Sequence, residues 1–177
     1  MPGTTVPIPY AMEQAQRWQQ EMAQSQQAAA ARLQRLAGHW FTPEHTWVTI
    51  DGETATVGIT DHAYQILSHI LFVSLPEPGA TLQTGEVCGQ VEGSLAVSDL
   101  YAPIDGTVTK VNERLGTEPE LVNDQPYGEG WLFRLTVSPG TRASLRASML
   151  SAAEYEELTR KDSSWARRLP PGSVPLT

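Results

Sequence analysis

The sequence has little of what disulfide-stabilised or membrane-spanning proteins need. Only one of its 177 residues is a cysteine, Cys88. A single cysteine excludes an internal disulfide and fits a reducing compartment. No apolar run approaches the roughly 20 residues of a membrane-spanning helix, and the N-terminus lacks the apolar core of a secretory signal. We therefore predict a cytoplasmic protein, with Cys88 as an inert thiol in a buried strand.

Basic charge is scarce as well. The chain has a net charge of −8 and only two lysines, Lys110 and Lys161. Residues 1–38 and 159–177 carry +1 and +3, which leaves −12 on residues 39–158. Because nucleic-acid phosphates require a basic face, so acidic a body argues against nucleic-acid binding.

No arrangement of side chains that is typical of catalysis or metal binding emerges. The sequence contains no nucleophile–base pattern and no phosphate-binding loop. His39 and His45 are six residues apart, and His62 and His69 are seven apart. Neither spacing is one that metal-binding helices or zinc fingers use. We predict that the chain is not an enzyme and binds no metal.

The first positive feature of the chain is an N-terminal segment, residues 11–36, that is rich in good helix formers. Gly38 follows it, as expected of a helix C-terminus. At 100° per residue, eight small or apolar side chains fall within a stripe about 80° wide, and the charged side chains lie outside it. So narrow a stripe is typical of a coiled-coil edge. This stripe, called the seam below, consists of Ala11, Ala15, Trp18, Met22, Ser25, Ala29, Leu33 and Leu36.

Two interpretations of this helix stay open. The seam can dock on the helix's own domain, or it can bind a second copy or another partner. Docking is slightly preferred because the seam is short and Ser25 interrupts its centre. A membrane-surface helix is disfavoured, since the polar face is rich in glutamine rather than in cationic residues.

The second feature is a tight hairpin. Residues 87–91 and 96–101 alternate as strands do, and Gly93-Ser94 between them is typical of a tight turn. A second turn, Ala102-Pro103-Ile104-Asp105-Gly106, precedes another alternating run at 107–111. We expect this hairpin to carry the functional site.

A tight hairpin followed by Ala-Pro-x-x-Gly resembles the swinging-arm hairpin of lipoyl and biotinyl carrier domains. In that family a lysine at the tip carries the cofactor through an amide. The flanks narrow the resemblance to the H protein of the glycine cleavage system, whose hairpin typically reads Glu-Ser-Val-Lys-Ala-x-Ser-Asp-x-Tyr-Ala-Pro. Leu95 occupies the position of the lysine. The matching residues are Glu92, Ala96, Ser98, Asp99, Tyr101, Ala102 and Pro103.

The resemblance extends from His39 to about Leu158. His45-Thr46-Trp47-Val48 is similar to the family's His-Glu-Trp-Val, and residues 119–131 are similar to its closing loop. It implies a barrel-sandwich hybrid of two small antiparallel sheets with short helices. Period-two alternation and frequent Gly and Pro independently favour a mainly-β fold. The predicted domains are an N-terminal extension with an added amphipathic helix (1–38), an H-protein-like domain (39–160) and a flexible C-terminal tail (161–177).

Leu95 decides the cofactor prediction. Lipoylation needs a primary amine, and a leucine side chain offers only hydrocarbon. Lys110 lies in a predicted strand and Lys161 in the charged tail, so neither replaces the tip. We therefore expect no lipoate on this chain. Thr46 is a second departure, because the resemblance implies a glutamate there that holds the loaded arm.

The acidic neighbours of the tip, Glu92 and Asp99, remain. The resemblance implies that they help the lipoylating or partner enzymes to recognise the hairpin, although hairpin geometry alone also accounts for them. Leu95 itself either folds down on the hairpin or anchors a contact with a partner.

We predict a non-lipoylated, H-protein-like binding module that retains the carrier's docking surface. Its expected partners are the glycine cleavage enzymes or lipoate ligase, and the helix at 11–36 would serve assembly or partner choice. One alternative is a lipoyl carrier of the glycine cleavage system in which the modified lysine is substituted by Leu95. The other is a decoy or regulator of lipoate ligase or of the glycine cleavage enzymes.

Overall fold

A computed structural model describes Gly3, residues 8–161 and residues 174–175. The chain divides into two compact units, Met1–Ala37 and Gly38–Thr177, and each is described by itself. Among the described residues, no helix has both the length and the apolar character needed to cross a membrane.

The first unit contains one long helix, α1 (Ile8–Arg35), which confirms the predicted N-terminal helix. Its 28 residues include no acidic side chain in the first turn. Arg32 and Arg35 lie in the last turn, where cations interact favourably with the helix dipole. The amide of Leu36 donates to the carbonyl of Arg32 at 3.1 Å and continues the helical pattern by one residue.

The second unit consists of two antiparallel sheets, which confirms the mainly-β prediction. The larger sheet contains β1 (Trp40–Phe41), β2 (Thr46–Asp51), β3 (Thr54–Ile59), β5 (Thr81–Leu82), β8 (Gly106–Val111) and β9 (Phe133–Thr136), in the order β1-β2-β3-β9-β8-β5. The smaller sheet contains β4 (Ile70–Ser74), β6 (Val87–Gly93), β7 (Ala96–Tyr101) and β10 (Val174–Pro175), in the order β10-β7-β6-β4.

Short helices connect and flank these strands. They are α2 (Asp61–Leu67), a 3-10 helix (Glu113–Gly116), α3 (Leu121–Asp124), α4 (Thr141–Ser148) and α5 (Ala152–Lys161). Ser151 is the N-cap of α5, which is one half of the capping box that the sequence predicts there. The amide of Glu154 donates to Ser151 Oγ at 3.2 Å, and that hydroxyl lies 3.0 Å from Glu154 Oε1.

One hydrophobic core joins the two sheets. Val57 and Leu135 enter it from the larger sheet, and Val91 and Leu100 enter it from the smaller one, all almost fully buried. Burying such a side chain contributes about 1.5–3 kcal/mol. This shared core fixes the strands from which the hairpin of β6 and β7 projects.

Trp47 closes the core beneath the loop before β9. Its ring covers Gly58, the residue directly opposite on β3, where an added Cβ would come within 2.4 Å of the indole. The indole Nε1 donates to the carbonyls of Ile59 and Pro126 at 3.1 and 3.0 Å. The 119–131 loop is thereby tied to the β2–β3 hairpin.

The predicted flexible tail (161–177) contains two structured parts. Lys161 ends α5, and β10 pairs Val174 with Val97 and Pro175 with Ala96. Proline cannot donate to a sheet ladder, so an edge strand suits Pro175. The remaining tail residues, 162–173 and 176–177, lie outside the described residues.

Candidate functional site

The β6–β7 hairpin turns through Ser94 and Leu95, one residue later than the sequence predicts. β6 pairs with β7 in the register Glu92↔Val97, and β6 continues to Gly93. The reason is a third strand: Gly93 pairs with Ile70 at the start of β4, which keeps it within the sheet. Leu95 therefore lies in the two-residue turn itself.

The backbone of this tip is anchored rather than free. The amide of Ser94 donates to the carbonyl of His69 at 2.9 Å, and the amide of Leu95 donates to the carbonyl of Leu67 at 3.2 Å. Gly93 permits this approach, because a Cβ on it would lie 2.0 Å from the Leu67 carbonyl oxygen. The tip therefore rests on the segment that connects α2 to β4.

Asn123 of α3 fixes that segment. Its Oδ1 accepts from the amide of Ile70 at 2.8 Å, and its Nδ2 donates to the carbonyl of Ser68 at 3.0 Å. Ser68 adopts the left-handed conformation with φ 61°, so the segment needs such support. The resemblance places Asn123 in the closing loop but does not indicate that it supports this segment, because its partners lie more than fifty residues away in the chain.

The side chain of Leu95 faces solvent although its backbone is held. It is 56% exposed, and so are two apolar residues of the neighbouring strand β4, Leu71 (56%) and Phe72 (58%). Phe72 pairs with Glu92 of β6, close to the tip. Leu95, Leu71 and Phe72 are thus three exposed apolar side chains at one end of the smaller sheet, called the tip surface below. Exposed apolar residues that gather at one place are typical of protein contacts.

A cleft beside the hairpin brings together three of the residues that the sequence singles out: Thr46, Ser98 and Asp99. It is small, with a cavity volume of about 20 Å³, and is partly open to solvent. Leu95 and Glu92 are not among its lining residues. The other lining residues are Glu44, His45, Ile59, Ala63, Ile66, Leu67, Val91 and Leu100.

Two carboxylates line this cleft. Asp99 is half-buried, and its Oδ1 accepts from Gln90 Nε2 at 3.1 Å. Glu44, also half-buried, is the residue that sequence reasoning misses. Thr46 is buried and its hydroxyl lies 2.6 Å from that of Thr42. The cleft therefore keeps negative charge although position 46 is neutral. A cation in the cleft would find a carboxylate partner.

Behind the cleft, a buried polar cluster ties α5 to the larger sheet. Tyr155 Oη lies 2.5 Å from His45 Nδ1 and 2.8 Å from Thr60 Oγ1. Burial, with the nearby His62 as a smaller cause, lowers the pKa of His45 to about 4, and burial raises the pKa of Tyr155. Both side chains are therefore neutral at pH 7, and the cluster stabilises the fold rather than supplying an acid or a base.

Neither lysine lies at the tip. Lys110 is on β8 of the larger sheet, with its ammonium 6.0 Å from the centre of the Trp131 ring, and Lys161 ends α5. Across residues 8–161, no group of three His, Cys, Asp or Glu side chains is placed to hold a metal ion. Burial raises the pKa of the Cys88 thiol to about 12, so this cysteine is not an activated nucleophile.

Two antiparallel sheets around one core, with a hairpin turn exposed at the end of the smaller sheet, define a barrel-sandwich domain of the carrier class. A crystal structure of a glycine cleavage system H protein from Mycobacterium marinum has this fold, with a TM-score of 0.62 and 33% sequence identity. That match covers 70% of this chain and 98% of the other.

Sequence comparison agrees with the structural match. The sequence model of the family described as Glycine cleavage H-protein matches residues 39–162. The glycine cleavage system H protein of Beutenbergia cavernae is 46% identical over 119 residues, which are 67% of this chain and 91% of that protein. The corresponding protein of Rubrobacter xylanophilus is 50% identical over 115 residues, which are 65% and 86%. The chain therefore belongs to the glycine cleavage H-protein family.

Membership has two consequences. The family consists of lipoyl carriers that catalyse no reaction, so the chain is a carrier-like protein and not an enzyme, as predicted. The barrel-sandwich prediction is confirmed as well. The helix α1 lies outside the matched residues.

Proposed function

We propose that this chain is a non-lipoylated member of its family that acts by binding proteins. The observation that carries the proposal is Leu95, an exposed hydrocarbon side chain in the turn where the resemblance places the lipoyl lysine. Lipoylation joins the cofactor to a primary amine through an amide. A leucine cannot form that bond, whatever the surrounding hairpin looks like.

The positions of the two lysines support this proposal. Lys110 belongs to the other sheet, beside Trp131, and Lys161 is the last residue of α5. Neither residue belongs to the hairpin of β6 and β7. No lysine is therefore available to take over the attachment point without a change in strand register.

The tip surface supports a binding role. Leu95, Leu71 and Phe72 are each more than half exposed, and burying that exposed part against a partner contributes about 1 kcal/mol each. Glu92 and Asp99, the acidic neighbours through which the resemblance implies recognition of the hairpin, are retained. We propose glycine cleavage enzymes or lipoate ligase as the partners.

We also propose the cytoplasm as the location of the protein. Cys88 is a free cysteine, which suits a reducing compartment. Fractionation of host cells tests this.

A second candidate function is that of an ordinary lipoyl carrier whose modified lysine is substituted. The cleft favours it, because Glu44 and Asp99 still offer carboxylates to an amine-bearing arm. A third is that of a decoy that occupies lipoate ligase without being modified. Glu92 and Asp99, the retained acidic neighbours of the tip, support a decoy as well as they support a binding module.

The experiment is lipoylation by a lipoate ligase with lipoate and ATP, followed by mass spectrometry. Three proteins are compared: the natural chain, Leu95→Lys and Leu95→Lys combined with Lys110→Arg. We expect no lipoyl group on the natural chain and at least partial modification of both variants, mapped to position 95. A lipoyl group on the natural chain would contradict the proposal. An unmodified Leu95→Lys, under conditions that modify an ordinary H protein fully, would show that the docking surface has diverged.

A competition assay separates the binding module from the decoy. The natural chain is added in excess to a reaction in which the ligase modifies an ordinary H protein. A decoy slows that reaction, and Leu95→Asp, which places a charge in the apolar tip surface, relieves the inhibition. If the rate does not change, the ligase is not the partner, and binding to the glycine cleavage enzymes is measured next with the same two proteins.

A further inference from the structure

The helix α1 has an apolar seam that no part of the family match explains. Trp18 is 71% exposed and Met22 is 63% exposed, although both are among the largest side chains of the helix. Isolated helices are marginally stable in water, and most helical stability in proteins comes from packing an apolar face. A 28-residue helix with an uncovered Trp-Met centre therefore calls for a partner surface.

The spacing of the seam is that of a two-stranded coiled coil. From Ala11 to Ala29, successive seam residues are separated by 4, 3, 4, 3 and 4 positions, which is the heptad a/d pattern. Leu36 at the end is already buried, so the available part of the seam runs from Ala15 to Leu33. This part is about 27 Å long at 1.5 Å per residue.

The order of large and small residues points to an antiparallel pair of identical helices. If the two-fold axis passes between Met22 and Ser25, then Met22 of each copy faces Ser25 of the other. By the same operation Trp18 faces Ala29. One step further from the axis, the same operation sets Ala15 opposite Arg32, the residue next to Leu33. Every layer then joins one large and one small side chain, which is how packed layers interdigitate.

A parallel pair gives the opposite result. Trp18 would face Trp18 and Met22 would face Met22, while Ser25 and Ala29 would face their own copies. Helix axes in such pairs are 8–10 Å apart, so the large layers would be overpacked and the small layers would leave cavities.

Charge favours the same arrangement. The first half of α1 carries Glu13, Arg17 and Glu21, a net −1, and the second half carries Arg32 and Arg35, a net +2. Antiparallel helices place each half beside the half of opposite sign. Parallel helices place the two arginines beside their own copies, which is destabilising.

We propose that α1 is a self-association helix, and that two copies of this chain pair through residues 15–33 of α1 as an antiparallel, two-fold symmetric coiled coil. The pair would bury both Trp18 side chains, which together contribute about 300–500 Å² to the interface. It would carry two H-protein-like domains in one assembly. The proposal does not depend on whether Leu95 ends the carrier function.

The test is sedimentation equilibrium of the full chain over a range of about 1 to 500 µM, where weak dimers dissociate measurably. The natural chain is expected to form a dimer. Trp18→Ala, which leaves two small residues opposite each other, and Ala29→Trp, which places two tryptophans opposite each other, should each weaken it about tenfold or more. Gln27→Trp, on the opposite side of the helix, should leave the dimer unchanged and is the matched control.

The combination Trp18→Ala with Ala29→Trp decides the orientation. It restores one large and one small residue in the same antiparallel layer, so the dimer should recover to within about threefold of the natural affinity, a strong coupling between the two sites. Circular dichroism checks that every variant keeps its helix. A natural chain that stays monomeric throughout, as docking of the seam on its own domain predicts, would overturn the proposal. So would a dimer that survives Trp18→Ala, or losses that simply add in the double variant.

Discussion

The substitution Gly93→Ala tests whether the hairpin tip is seated as the structure describes. An added Cβ would lie 2.0 Å from the Leu67 carbonyl oxygen, whereas ordinary contacts begin at 3.4 Å. The tip must therefore move away by about 1.4 Å. The bonds from Ser94 to His69 (2.9 Å) and from Leu95 to Leu67 (3.2 Å) cannot survive a displacement of that size.

The expected cost follows from these contacts. Two backbone hydrogen bonds contribute about 1 kcal/mol each, and overpacking of a tight site adds about 1–3 kcal/mol, with some relief from water at the exposed turn. The free energy of unfolding should fall by about 2–4 kcal/mol, and the melting temperature by roughly 5–15 °C.

Chemical unfolding in urea, followed by near-ultraviolet circular dichroism, measures this change. Gly116→Ala is the matched control, since an added Cβ there meets nothing within 4 Å, and its effect should stay within about 1 kcal/mol. Gly93→Ser adds the same Cβ, so it should cost as much as Gly93→Ala, although the resemblance implies a serine at this position in typical relatives. If both variants are as stable as the control, the tip does not rest on the Leu67 carbonyl and the description of the site is wrong.

Three further predictions concern buried groups. His45 has a folded-state pKa of about 4 against an ordinary 6.5. Its stabilising effect is therefore complete above pH 6.5 and is lost toward pH 4, by up to about 3 kcal/mol. His45→Asn tolerates the positive φ and should make the unfolding free energy depend less on pH. A pH dependence equal to that of the natural chain would refute this. Tyr155→Phe should cost about 1–3 kcal/mol, because His45 and Thr60 lose the hydroxyl between them, and a loss under about 0.5 kcal/mol would show that they do not depend on it. Cys88 should react with an alkylating agent at about pH 8 far more slowly in the folded than in the unfolded protein, since burial raises its pKa to about 12, and equal rates would contradict that burial.

Local patterns in the sequence predict a large part of this fold. Alternation predicts the strands of the hairpin, Ser151 and Glu154 predict the start of α5, and the helix formers before Gly38 predict α1. These features depend on residues that are close together in the chain. The barrel-sandwich architecture comes from the resemblance rather than from the patterns themselves.

The site is less predictable because distant residues build it. Leu95 is found from its place in the hairpin, but the anchoring of the tip depends on Leu67 and on Asn123, which no local pattern connects to it. The fold brings Glu44 into the cleft beside Asp99, and nothing in the sequence indicates this. From the sequence alone, Thr46 therefore suggests a greater loss of negative charge than the cleft shows.

The strand β10 illustrates the same limit at the C-terminus. Composition predicts flexibility for residues 161–177, yet Val174 and Pro175 pair with β7. Such pairing depends on an available strand edge, and a proline-containing segment gives little local signal for it.

The intact mass of the protein purified from its native host tests whether it carries lipoate. The expected mass is that of the unmodified chain, with no lipoyl group on the peptide that contains Leu95. A mass increased by one lipoyl group, mapped to any residue of this chain, would contradict it and establish the protein as a lipoyl carrier.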